Sequence, residues 1–382
     1  MPGMYEAPRS SPRLSGTVPA LNGVRGVAVV LVFLFHAEVP GFTGAFIGVD
    51  IFFVLSGFLI TVLLLQEHQR NQAINLKKFY LRRALRLLPA LLLLLAVYLG
   101  YCFSVFPDAA TRLYHLQDAA MALFYAANWT RAFGLDRPYH LGHCWSLSIE
   151  EQFYALWPLL LLLLLRLSWR RRAALIALLL AASWGWRVWL LAQGASWARV
   201  YNGFDTRADM LLAGCLLAVL WNAGALQGWG RARFYPATLT ALSLAALGVI
   251  AFASRWQTAA LYQWQYALVA LATALLTLDL LARPRGIFAR IFSLPPLVGL
   301  GAISYALYLW HYPLLHYLGR QGLAGSALVW AGALLTLAFA LFSWYAVEKP
   351  AQRLKGRFAA APERTSETTD KMQKKRFCLD RH

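Results

Sequence analysis

Charge is scarce in this sequence. Only 14% of its 382 residues are charged, with 17 acidic residues against 36 Lys and Arg. A soluble domain carries about a quarter charged and about half apolar residues, whereas here the apolar share is 59%. That balance excludes an ordinary water-soluble globule. Cysteine is sparse too: Cys102, Cys144, Cys215 and Cys378 lie far apart, without CxxC or metal-ligand spacing. Neither a disulfide framework nor a zinc module is implied. No convincing internal repeat is present either.

Long apolar runs take the place of what is missing. "LLPALLLLLAVYLGYCF" and "YALWPLLLLLLLRL" are long enough for the hydrocarbon core, which takes about 20 helical residues. Ten spans are expected, near 21–39, 46–66, 88–106, 146–166, 173–192, 207–222, 235–253, 261–282, 298–318 and 326–347. The fold class is therefore all-α, a polytopic transmembrane bundle. The net charge of +19 gathers at alternate ends of the runs, as the positive-inside rule expects, so it reports topology rather than nucleic acid. Placing the basic loops "KKFYLRRALR" (77–86), "RLSWRRR" and "RPRGIFAR" on one side puts both termini in the cytoplasm. The shorter run at 115–130, with His115 and Asp118, then belongs to an outer segment (107–145) lying in or against the membrane. Residues 1–20 and 358–382 are polar and expected to be disordered, which leaves 21–357 as the membrane domain.

Two residues in the first span are out of place there. Arg25 and His36 are eleven apart, almost a whole number of turns, so they share one stripe about 16 Å long. Ionisable groups at membrane depth usually face a polar cavity or a partner. Asp50 follows the next turn at similar depth and could fix the His36 tautomer as a general base requires; pairing with another cation is the alternative. Glu38 points about 200° away on the same helix. Lys77, Lys78, Arg82, Arg83 and Arg86 form either a topology anchor or a polyanion site, since guanidinium groups grip phosphates. Asp205, Arg207 and Asp209 read as a structural charge cluster. His140 and His143 lack a matched third ligand for a metal.

The order of motifs completes the reading. R-x10-H, "GVDIFFVLSGFLIT", "KFYLRRALRLLPA", "GHCWSLSIEEQFYALWP", "ISYALYLWHYPLL" and "VEKP" together resemble the acyltransferase 3 family of integral membrane acyltransferases, over about residues 20–350. The resemblance implies that Arg25 and His36 are the pair required for transfer. It places Arg83 and Arg86 in an R-x-x-R element, Trp145, Ser146 and Glu150 in a W-S-x-x-x-E element, and His311 at a site position. It implies an acyl-CoA co-substrate, usually acetyl-CoA, at the cytoplasmic face of the inner membrane, and no tightly bound cofactor or metal. The acceptor would be a hydroxyl of a glycan, lipid-linked sugar or glycosylated small molecule. The expected catalytic residues are His36, Arg25 and Asp50; Arg82, Arg83 and Arg86 would bind the donor; Trp145, Ser146, Glu150 and His311 would bind the acceptor. A secondary transporter of an anionic or amphipathic solute is the alternative, but it calls for repeats with interrupted helices, which the sequence does not show.

Overall fold

A computed structural model describes residues 18–229 and 235–354. Among them the regular structure is helical and no strand occurs. The expected tails at 1–20 and 358–382 lie outside the described residues, apart from residues 18–20. Helix α1 (Pro19–His36) opens on a proline, whose missing N–H would find no intrahelical acceptor there anyway. A 3-10 turn (Ala45–Ile47) leads into α2 (Gly48–Asn71).

Helix α3 (Leu76–Val105) corrects one expectation. The basic stretch 77–86 is not a loop but the first turns of a 30-residue helix. Asn75 caps it, its side chain accepting from the Lys78 N–H at 2.9 Å, and the Leu, Lys and Arg that follow are good helix formers. Helix α4 (Ala109–Leu123) has 15 residues. At about 1.5 Å per residue it is shorter than the hydrocarbon core of roughly 30 Å. It lies against the second half of α3, where the Tyr98 hydroxyl is hydrogen-bonded to His115 Nδ1 at 2.7 Å. After α5 (Ala127–Ala132), Arg137 ties the loop back, donating to Asp118 Oδ1 at 2.8 Å and to the Tyr114 carbonyl at 2.7 Å.

The remaining helices are α6 (Cys144–Leu164), α7 (Trp169–Ala192), α8 (Trp197–Asn202), α9 (Ala208–Asn222), α10 (Tyr235–Ala253), α11 (Tyr266–Ala282), α12 (Ile287–Phe292), α13 (Pro295–Ala302), α14 (Ser304–Arg320), α15 (Gly325–Ser343) and α16 (Lys349–Arg353). Seven helical stretches among the described residues are long and apolar enough to cross a membrane, and α9 and most of α10 are shorter apolar helices. All ten expected spans fall on helix, the one at 298–318 being split at Ile303 into α13 and α14.

Lipid is as apolar as leucine, so helices in it associate through close contact rather than hydrophobic burial. Glycines provide that contact. A Cβ on Gly57 of α2 would lie 1.9 Å from the Leu211 carbonyl oxygen of α9, and one on Gly214 of α9 would lie 2.0 Å from the Val54 oxygen. Gly26 of α1 is pressed in the same way against the Leu297 carbonyl of α13. These contacts fix α2 on α9 and α1 on α13. The outer faces are apolar, with Trp330 and Leu334 of α15 and Leu178 of α7 exposed, as a lipid-facing surface requires.

Candidate active site

Both singled-out residues of α1 point at α14. The Arg25 guanidinium donates to Ser304 Oγ through Nη2 at 2.9 Å and Nε at 3.3 Å. Two turns further along α14, His311 Nε2 lies 3.0 Å from His36 Nδ1. Early meets early and late meets late, so the two helices run in the same direction. Arg25 and His36 are about 16 Å apart along their helix and Ser304 and His311 about 10 Å along theirs; the long arginine side chain closes the difference. Arg25 and His36 keep part of their surface accessible while Val24, Ala28, Val29 and Val32 between them are buried. Arg25 and His36 are thus the accessible ends of a stripe whose middle is packed.

Hydrogen bonds fix the state of the two imidazoles. Buried His311 donates from Nδ1 to the Tyr308 carbonyl at 2.6 Å. Its Nε2 then carries a lone pair and accepts from His36 Nδ1–H, which also reaches the Val32 carbonyl at 3.0 Å. His36 is left with its own lone pair on Nε2, the tautomer a base needs. Tyr308, one turn before His311, donates its hydroxyl to the His143 carbonyl at 2.8 Å and is hydrogen-bonded to Ser146. Ser146 thus joins α6 to α14 and positions His311. Trp145 is 6% exposed and packed on Tyr201 at 4.7 Å.

The expected Asp50–His36 dyad does not form. Asp50, fully buried, pairs with Arg207, the alternative the sequence left open. The reason is packing: α2 is locked by its glycine contacts to α9, at whose start Arg207 stands. Arg207 also covers the Tyr266 ring at 3.9 Å. Asp209 pairs with Arg187 at 2.8 Å, and Arg187 donates to the Thr206 carbonyl at 2.6 Å. Asp205 binds Arg199 at 2.9 Å. The Asp205–Arg207–Asp209 cluster is structural, and it shares its counter-charges across four helices.

A second ionic group gathers at the Arg25 end. Arg83 lies over the Tyr154 ring at 3.7 Å and 3.9 Å from Glu151. Glu150 accepts from Ser56 Oγ at 2.5 Å and from the Tyr154 hydroxyl at 3.3 Å. Arg86, one turn beyond Arg83, is within electrostatic reach of Arg25 and Arg83. Arg82 is half-buried beside them on α3. Glu150, expected on the acceptor, lies within electrostatic reach of Arg25 and Arg83. Ser304, Ser56 and Tyr308 escaped sequence reasoning. Ser304 alone carried a signal, its seven-residue spacing to His311 on one helix face.

The comparisons with known proteins now have a geometry to meet. The family profile described as acyltransferase domain matches residues 18–348. The chain belongs to the acyltransferase 3 family. The peptidoglycan O-acetyltransferase OatA of Listeria monocytogenes is 36% identical over 314 residues, 78% of this chain and 49% of that protein. The O-acetyltransferase OatA of Staphylococcus aureus strain MRSA252 is 34% identical over 368 residues, 92% of this chain and 60% of that one. Its counterpart in strain NCTC 8325 is 33% identical over 352 residues, 88% and 57% respectively. The chain thus spans about half to three fifths of the length of the curated relatives it matches. No solved structure matches. Within this acyltransferase 3 chain, Arg83 and Arg86 lie within electrostatic reach of each other at the Arg25 end of the α1–α14 contact, and His36 meets His311 at the other end.

Proposed function

We propose that this protein is a membrane O-acetyltransferase that moves an acetyl group from acetyl-CoA to a hydroxyl of a glycan. The observation that carries the reading is the double pairing of α1 with α14. It sets Arg25, held by Ser304, at one end of a stripe and His36, with a lone pair left on Nε2, at the other, which supports a cationic end and a basic end. The relatives' names, O-acetyltransferases with peptidoglycan specified for one of them, support the acyl group and the acceptor class.

In this reading the Arg25 end is cytoplasmic. Arg82, Arg83 and Arg86 bind the phosphates of the donor by charge-assisted hydrogen bonds. The pantetheine arm runs along the stripe and brings the thioester to His36. His36 Nε2 takes the proton of the acceptor hydroxyl as its oxygen attacks the thioester carbonyl carbon. The carbon–sulfur bond breaks, and the thiolate leaves with that proton from His36, so no proton is gained or lost overall. While His36 is cationic, its Nδ1–H donates to His311 Nε2 and the Val32 carbonyl, which spreads the charge. Arg25, held by Ser304, steers the arm. His36→Ala tests this: general-base catalysis is worth about 10²–10⁴-fold. Mass spectrometry of cell glycans should lose the acetyl increment in that variant although the protein still inserts. Retained transfer would falsify the assignment.

A further inference from the structure

Beside the His36–His311 pair lies a second cavity, of about 210 Å³, between the far half of α3, the end of α14 and α15. One wall is apolar, with Leu94, Trp310 and Phe339; the other end is polar, with His115, His140, His316 and Arg320. The proposed transfer uses none of these polar groups.

The histidines are not scattered. Of the eight in the chain, six lie in one continuous series of ring contacts. His36 meets His311 at 5.0 Å and His143 meets His311 at 5.6 Å. His316 meets His140 at 5.8 Å and His140 meets His115 at 5.9 Å. Tyr312 joins the two groups, 5.0 Å from His36 and 4.4 Å from His316. The polar end of the cavity is therefore one aromatic ring away from the base.

Arg320 is exposed and makes no ion pair or hydrogen bond among the described residues. Its charge acts on His115, His140 and His316, and the acid whose charge reaches His316, Glu38, is itself exposed. Burial and the Arg320 charge push His140 down to about 4, and burial lowers His115. Both are neutral hydrogen-bond partners at pH 7, which leaves Arg320 as a cation without an anion. Meanwhile Val97, Tyr101 and Tyr317 on the rim are 42%, 42% and 39% exposed. In a membrane bundle such a rim opens sideways onto hydrocarbon chains. At this size, below the roughly 300–1,000 Å³ of complete small-molecule sites, the cavity takes part of a ligand, and the rest stays in lipid. An apolar chain along one wall and an anion at the other fit it, because a guanidinium grips phosphate oxygens in pairs.

We propose that this cavity holds the anchor of the acceptor: a glycan carried on a long-chain lipid phosphate, which enters sideways with its phosphate on Arg320 and its chain along Leu94 and Phe339. The sugar next to the phosphate then passes Tyr312 to reach His36. The proposal rests on the glycan O-acetyl transfer reading above and names the class of acceptor.

Intact purified protein in detergent is titrated with farnesyl phosphate, farnesol and phosphatidylglycerol, with binding read by native mass spectrometry. Farnesyl phosphate should bind at least tenfold more tightly than farnesol and should displace phosphatidylglycerol. Arg320→Gln and the exposed-rim variant Val97→Trp should each weaken it at least tenfold. In the same Arg320→Gln protein, the kcat/KM ratio for a farnesyl-phosphate-linked disaccharide over the free disaccharide should fall at least tenfold. Equal binding by wild type and both variants overturns the proposal, as does phosphatidylglycerol that farnesyl phosphate does not displace, which would mark an ordinary lipid site. If neither disaccharide is acetylated by wild type while the binding pattern holds, the transferase reading fails and the phosphate-anchor site stands.

Discussion

Two ionic clusters lie inside this bundle, and they differ in balance and in access. The first, Asp50, Arg207, Arg187 and Asp209, has two cations and two anions, all at 0–2% exposure. The second, at the Arg25 end, has Arg25, Arg83 and Arg86 against Glu150 and Glu151, all of them half-buried. A neutral, dry cluster has no charge left to offer a ligand. A cation-rich, partly accessible one does. Burial of charge is thus poor evidence for a site by itself; incomplete neutralisation with partial exposure is better evidence.

The largest expected effect breaks the first cluster. Asp50→Ala strands Arg207 without its partner, which costs about 3–5 kcal/mol where such pairs are buried. The unfolding midpoint of the purified protein should fall sharply. Asp50→Asn combined with Arg207→Gln should recover much of the loss, because no lone charge remains. The same kind of change in the second cluster, Glu151→Gln, should alter stability by about 1 kcal/mol or less, since water screens a partly accessible pair. If Glu151→Gln unfolds the protein as Asp50→Ala does, the contrast between the clusters is wrong.

Activity should show the reverse order. Arg83→Ala or Arg86→Ala should raise the apparent KM for acetyl-CoA about tenfold or more, from the loss of a hydrogen bond to a charged group worth about 1.5–3 kcal/mol, with the acceptor KM unchanged. A shift in acceptor dependence alone would move the donor site elsewhere. His311→Asn should lower kcat about tenfold, less than His36→Ala, because it disturbs the tautomer rather than removing the base. The smallest effect belongs to Ser304→Ala. It removes a bond worth about 0.5–1.5 kcal/mol and should cost transfer only about two- to tenfold in kcat/KM.

The helices and the Arg25–His36 stripe were legible because both follow from period. Apolar runs of span length must be helices, and eleven residues return a helix to the same face. Arg83 and Arg86 were legible as a charged group near one membrane face, though the loop assigned to them is helix. The partners of Asp50, Trp145, Ser146 and Glu150 were not legible. Each was assigned by nearness in sequence or by motif, and each side chain meets a partner 56 to 162 residues away on another element. The sideways cavity was equally hidden, since its lining is drawn from α3, α4, the loop before α6, α14 and α15.

By itself the sequence determined that the chain is a helical membrane protein with an arginine and a histidine on one face of its first helix. Composition and helical period depend only on residues near one another along the chain. Which charges neutralise each other, and that His36 leans on another imidazole instead of a carboxylate, were decided by tertiary structure. Glycine contacts press α2 onto α9, and that choice of neighbour turns Asp50 away from His36 and leaves the place beside His36 to His311.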